Sequence, residues 1–362
     1  MELFHAANQW ANRPADERFD SLQEMYRATL QYAKVAGESV VPWTDLRVQA
    51  IGDDLMLTGK ADVPAKLTNY AFGQLASRVG APASYLRELP ETLAANNLNF
   101  GLARKTDAGT DAQLLFHTNG SLLLRAATST RYNRIWNFQV IERLMELCDT
   151  HDLIPARQTF VWGDEDGEIP EDVDRALYAS DHDMFAFVMS PDRVVRDPVG
   201  QTLRRGVIVQ NSEVGDKSLS FMGFLFRDVC ANHIIWGAEQ LAEVRFSHTG
   251  DVEGKFEDAV LTVRKYMDGA ASYDEAQFQE FTARIGETKE DVVEALFRDR
   301  RLGLSKKAIE AGYEAVVPEE DGDPRSRWGI VQGLTRVSQG EDYAEDRVAM
   351  DRAAGKLLQV NF

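Results

Sequence analysis

The chain has 362 residues, 44% of them apolar, and a formal net charge of -18. That composition supplies a sizeable core and excludes global disorder, and no apolar run approaches the roughly 18 residues a membrane span needs. So acidic a chain repels nucleic acid at long range, which leaves only local patches to carry any nucleic-acid surface.

Apolar residues at helical spacing (Phe19, Leu22, Met25, Tyr26, Leu30) predict a helix over Asp16–Val35. Leu46–Ile51 and Leu55–Thr58 read as two strands across a Gly52-Asp53-Asp54 turn. Leu67–Leu93 reads as helix in pieces, punctuated by Gly80, Pro82 and Pro90. Within it, Ala76, Gly80 and Leu86 have the spacing of a helical hairpin, with Leu75, Ala76, Val79 and Leu86 expected inside. Its second helix presents Ser84, Arg87 and Glu88, a poor base-reading set.

Gln113–Thr118 and Ser121–Thr128 flank Asn119-Gly120, the strongest short hairpin cue, which predicts a type I′ turn. Phe138, Ile141, Met145 and Cys148 mark one face of a helix over Asn137–Cys148, expected to pack on that hairpin as one compact unit. Gly163–Pro170 is acidic and reads as a loop. Met184–Met189, Gly206–Gln210 and Leu219–Met222 read as buried strands, Phe224–Trp236 as a helix, and Val244–His248 as a strand. From Gly254 onward the pattern is helical.

Strands cluster instead of alternating with helices. The expected fold is therefore α+β: a central antiparallel or mixed sheet with packed helices and a helical C-terminal third. The expected organisation is an N-terminal helix and short hairpin over 1–60, a central domain over 61–250, and a helical region over 251–362 packed on it.

The glycine-rich phosphate loops, H-E-x-x-H and G-x-S-x-G are all absent, which removes the common nucleotide, zinc-protease and hydrolase signatures. No cofactor and no catalytic acid–base pair is nominated, and an enzyme is not the favoured reading. Cys230, His233 and His248 form the best metal candidate, since a thiolate and an imidazole three residues apart share a helix face. The blander reading, a small buried cysteine and hydrogen-bonded histidines, is preferred, so no metal site is assigned. Asp181-His182-Asp183 places an imidazole between carboxylates and is expected in a solvated loop. Two cysteines cannot build a disulfide framework, and the start MELFHAANQW lacks a basic region followed by an apolar stretch. A cytoplasmic location, bacterial or infected-host, is the expectation, with no membrane contact.

Two stretches are acid-poor. Ala112–Ile141 holds only Arg125, Arg131 and Arg134 as charged residues, and Arg193–Asn211 holds four arginines against Asp197. Arginine neutralises phosphate and aromatic rings stack on bases. Arg125, Arg131, Tyr132, Arg134, Trp136, Arg204 and Arg205 are therefore the candidate nucleic-acid-binding residues, expected to meet on one sheet face.

Several segments resemble the phage- and plasmid-associated family grouped as a domain of unknown function, DUF932. They are Leu67–Pro90, Leu122–Leu144, Gly206–Gly237, Val244–Gly250 and, more loosely, Arg327–Gln339. The resemblance implies an accessory protein of a mobile element but brings no activity with it. Its most regular positions here are Tyr132 with Asn133, Asn211-Ser212, Cys230 with Asn232, and His248. The leading expectation is binding of single-stranded nucleic acid in recombination or replication, with other copies of the chain as further partners. An acidic interaction protein, a nucleic-acid mimic or anti-defence factor, is the alternative, and a metal-dependent enzyme ranks third.

Overall fold

A computed structural model describes residues 17–59, 64–104, 111–156, 176–227, 232–234, 244–246, 248–269, 276, 278–338 and 344–358. Two sheets organise it into an α+β fold. The first has six strands in the order β2 (Ala36–Pro42), β6 (Asp111–Asn119), β7 (Ser121–Ser129), β5 (Ala65–Leu67), β4 (Asp54–Thr58) and β3 (Arg47–Ile51). Only the β5–β7 pairing is parallel. Strands from both sides of residue 60 thus share one sheet.

One face of this sheet is covered by α2 (Asn69–Val79), α3 (Ala83–Glu88) and α4 (Glu91–Arg104). The Thr68 hydroxyl accepts from the Ala71 amide and starts α2, and Gly80 ends it in the left-handed region (φ 75°). Leu75, Ala76 and Leu86 are buried, as the hairpin spacing predicts, while Val79 is half-buried. Asn99 of α4 covers the edge strand β3: its side chain accepts from the Val48 amide and donates to the Val48 carbonyl, both at 2.8 Å. A side chain thereby satisfies backbone groups that an edge otherwise leaves open to another chain.

The second sheet has eight strands. Its path is β1 (Arg18–Phe19), β9 (Leu177–Ala179), β10 (Met184–Arg196), β11 (Thr202–Asn211), β12 (Leu219–Arg227) and β13 (Asn232–Ile234). β8 (Ile154–Pro155) also pairs with β10, and β14 (Val244–Phe246) with β12. Along β10, Met184, Ala186 and Val188 enter one core while Phe185, Phe187 and Met189 enter another. Both faces are buried, which is why the strand reads as an unbroken apolar run. Gly206 is fixed by close approach: a Cβ there meets Phe224 and the Val188 carbonyl at 2.5 Å.

The first of those faces is packed by α1 (Leu22–Lys34), α5 (Asn137–His151) and α6 (Val252–Met267). Two expectations are corrected here. The helix after Trp136 packs on α1 and the eight-stranded sheet, not on the hairpin, and its buried stripe is Val140, Ile141, Leu144, Leu147 and Cys148. Phe224–Arg227 and Asn232–Ile234 are strand, not helix, so helix-face sharing between Cys230 and His233 does not arise. Cys230 and Gly163–Pro170 lie outside the described residues.

The C-terminal layer contains α7 (Lys289–Arg298), α8 (Lys306–Glu314), α9 (Pro318–Asp321), α10 (Arg327–Ser338) and α11 (Ala344–Leu357). It packs on Val195, Leu203 and Leu225 at one end of the eight-stranded sheet. α8 and α10 cross where a Cβ on Gly333 collides with the Gly312 carbonyl oxygen.

Candidate functional site

The hairpin β6–β7 contains one irregularity. Leu115 pairs with Ala126 and Phe116 with Leu124, so Arg125 has no opposite residue. It is the extra residue of a β-bulge, a device that re-aims a side chain. The register pairs Thr118 with Leu122 and Asn119 with Ser121, leaving Gly120 (φ 68°) alone at the tip, so the two-residue loop of a type I′ hairpin is not formed.

Side-chain parity shows what the bulge does. Leu122, Leu124 and Ala127 belong to the core under α2 and α4. Ala126 faces the other way, with Leu115 and Val214, and Ser121 and Leu123 line a cleft on that same side. Alternation from Leu124 places Arg125 on the cleft side, and the extra residue sets Ala126 on that side as well before Ala127 returns to the core. Arg125 therefore enters the space between the two sheets, where it is 1% exposed.

There Arg125 Nη1 donates to Glu213 Oε2 at 3.0 Å, both side chains being buried. Its Nε donates to the Asp181 carbonyl at 3.1 Å, as does Nη2, and its guanidinium lies 4.5 Å over the Tyr32 ring. Glu213 is a hub. Its other oxygen accepts from the Asn137 amide at 2.9 Å, at the start of α5, where the helix dipole favours negative charge. Its carbonyl accepts from Arg134, whose Nε pairs with Glu38 at 2.7 Å.

The Asp181-His182-Asp183 turn closes the other side and is not solvated: His182 is 6% and Asp183 1% exposed. His182 Nδ1 lies 2.9 Å from Asp181 Oδ1 and 3.1 Å from Ser180 Oγ. Burial lowers the His182 pKa, but the Asp181 hydrogen bond and the charges of Asp183, Asp181 and Asp216 outweigh it, and the net shift is upward. Asp181 shows the mirror effect: burial raises it, while His182 and Arg125 bring it below the usual carboxylate range. Serine, histidine and aspartate meet here, yet hydroxyl and carboxylate share one ring nitrogen, whereas a nucleophilic relay needs them on opposite nitrogens. Ser180 Oγ also donates to Asp183 Oδ1 at 2.6 Å and accepts from two turn amides. It holds the turn.

Motif segments far apart in sequence converge beside this cluster. Tyr132 donates to the Ser212 carbonyl at 2.8 Å and stacks on His248 at 4.9 Å. The Asn133 amide donates to the His248 carbonyl at 2.8 Å, and its side chain to the Gly250 carbonyl at 2.8 Å. Asn211 donates to Asn137 Oδ1 at 2.8 Å. Among the described residues no group of three or more His, Cys, Asp and Glu side chains is placed to hold a metal ion.

Two clefts border the cluster and share Thr68 and Asp181. One, of about 450 Å³, lies between α1 and the hairpin and is lined by Tyr32, His117, Asn137 and Glu213 among others. The second, of about 390 Å³, is lined by Asn69, Tyr70, Gln74, Arg87, His182 and Asp216. Arg87 reaches back from α3 to Asn69 Oδ1 at 2.9 Å, so it faces this cleft and not the outside.

The seven candidate nucleic-acid residues divide. Arg125, Tyr132, Arg134 and Trp136 gather around Glu213, with the Arg134 guanidinium 5.5 Å from the Tyr132 ring and 5.6 Å from the Trp136 ring. Arg131 is exposed. Arg205 is buried and donates to the Tyr266 and Gly269 carbonyls at 2.9 and 2.6 Å, capping the end of α6. Arg204 donates to the Pro191 carbonyl. These two sit about 20 Å up β11 from the Glu213 end, at about 3.3 Å per residue, so although the two acid-poor stretches touch through Asn211 and Asn137, their arginines do not meet. Tyr32, His117 and Glu213 are absent from the sequence-derived set. The findable signal was Glu213: an arginine inside an apolar hairpin needs a buried acid.

The molecule is thus a two-sheet α+β protein with a buried ionic hub and polar clefts between its layers. The chain belongs to the family described as Domain of unknown function (DUF932), whose model matches residues 126–335. That match contains Tyr132, Arg134, Asp181, His182, Glu213 and His248, and begins one residue after Arg125. No curated protein and no solved structure is detectably similar to the chain.

Proposed function

We propose that this chain is a binding protein whose working surface is the pair of clefts bordering the Arg125–Glu213 cluster. The observation that carries this reading is the concentration of buried polar side chains there, bordered by spaces of about 450 and 390 Å³. Small-molecule sites have such volumes, with a few convergent polar groups on an apolar lining. The test is thermal denaturation of the full chain against a panel of amines, sugars, nucleosides and nucleotides. A ligand at about a hundred times its Kd stabilises by about 2.7 kcal/mol. Stabilisation abolished by Thr68→Val, which alters one of the two residues common to both clefts, supports the reading. A flat response across the panel ends it.

A second reading is single-stranded nucleic-acid binding by a phage- or plasmid-type accessory protein. It is favoured by exposed Arg131 beside the layered Tyr132, Arg134 and Trp136. Arg125 is already neutralised by Glu213, so it releases few counterions, and the expected salt slope is near 0.7 per remaining phosphate contact. Mobility shift at low salt with wild type and Arg131→Ala tests it. Absence of any shift with wild type removes this reading.

A further inference from the structure

His117 is a buried side chain whose placement the hydrogen bonds of the fold do not explain. It lies on β6, is 4% exposed, and lines the larger cleft. Neither ring nitrogen has a hydrogen-bond partner among the described residues. Buried polar atoms in native proteins are nearly always paired, and each orphan calls for a reason. The ring is held firmly: it stacks on Tyr32 at 3.8 Å, and Tyr32 in turn carries Arg125 at 4.5 Å. One face of the imidazole is therefore occupied, and its nitrogen-bearing edge is what it offers.

The surroundings define what that edge can meet. Burial lowers the His117 pKa and Arg125 adds to the lowering, against a smaller opposing effect of Asp181, so the ring is neutral near pH 7. A neutral imidazole presents one donor and one acceptor. The charged residues lining the cleft are Glu17, Asp181 and Glu213 against Lys66; Arg125 offsets Glu213 and Lys66 pairs with Asp54 at 2.7 Å, which leaves Glu17 and Asp181. An anionic ligand is repelled by that balance. Ser121, Ser180 and Thr68 supply hydroxyls, and Phe19, Leu67 and Leu123 supply apolar wall for a ring.

We infer that the His117 end of this cleft is a recognition subsite for an uncharged heterocycle bearing both donors and acceptors, of the nucleoside class without phosphate. The inference rests on the binding reading above and names its ligand chemistry. The imidazole edge reads the base, the carboxylates accept from sugar hydroxyls, and a phosphate is excluded.

The experiment is calorimetric titration of the full chain with adenosine, cytidine and uridine, their 5′-monophosphates, and spermidine. At least one nucleoside binds, and its monophosphate binds about tenfold or more weakly. His117→Phe keeps the stack on Tyr32 but removes both nitrogens, so it weakens nucleoside binding by about tenfold or more. The wild-type imidazole nitrogen resonances of His117 shift on adding the nucleoside, which reads the contact even if the variant does not fold. Monophosphates binding as well as nucleosides, or His117→Phe binding like wild type, overturns the inference. If spermidine here, or a sugar in the thermal panel, binds and no nucleoside does, this inference fails while the binding reading stands. If nothing binds here or in that panel, both fail.

Discussion

Removing either partner of the Arg125–Glu213 pair isolates a charge that the fold has sealed from water. Both side chains are almost wholly inaccessible, at 1% and 2%. Breaking a buried pair from one side typically costs about 3–5 kcal/mol. Glu213→Ala also strips the acceptor from the Asn137 amide, and Arg125→Met strips the donors from the Asp181 carbonyl, each adding about 1 kcal/mol or more. The double variant Arg125→Met with Glu213→Leu leaves no lone charge, so its cost falls well short of the sum, with a coupling of about 2–3 kcal/mol. Urea unfolding read by tryptophan fluorescence and by far-ultraviolet circular dichroism, with coincident transitions, measures all three. Additive costs within about 0.5 kcal/mol would mean that the pair is not coupled and that Glu213 is no hub.

Further outcomes follow from other residues. His248 is buried against Tyr132, and burial, opposed by the Asn133 backbone and aided by Arg134, lowers its pKa from 6.5 to about 4. The unfolded chain therefore binds the extra proton between those values, and stability drops by about 3 kcal/mol as pH falls from 6.5 to 4. His248→Phe should remove about one proton's worth of that slope. His182, raised instead, contributes stability below pH 6.5 that is lost as pH climbs through its folded pKa, and His182→Asn should abolish that alkaline limb in the same titration. Gly333→Ala should lower the unfolding free energy by about 1–3 kcal/mol, and the urea midpoint with it, through collision with the Gly312 carbonyl; a raised midpoint, as helix propensity alone predicts, would refute the crossing. Asn99→Ala should cost about 1–2 kcal/mol and speed amide exchange at Val48, and unchanged exchange there would show the edge is not held by Asn99.

Local chemistry made much of the fold legible. The Asn119-Gly120 hairpin, the apolar run from Met184 and the Gly80 helix stop are signals confined to a few residues. The run from Phe224 to Trp236 misled because a short apolar stretch has no period that separates strand from helix. The α5 face was read off centre because Phe138 and Met145 flank the buried stripe instead of forming it. The site was hidden for a different reason. Arg125 and Glu213 are 88 residues apart, and nothing local in either segment records the pairing. The same arginine that reads from sequence as a phosphate contact is an internal counter-charge in the fold.

The bulge at Arg125 separates the architecture from the site in an unusual way. Delete that single residue on paper, and Leu124 is followed directly by Ala126 and Ala127, an uninterrupted alternation between the helix-covered core and the opposite face. The inward and outward assignment of the flanking apolar residues is unchanged by such a shortening. What vanishes is the guanidinium between the layers, and with it the charge that gives Glu213, Asp181 and Tyr32 a common centre. The strand is one residue longer than its sheet needs, and that surplus residue is the one around which the polar interior is assembled.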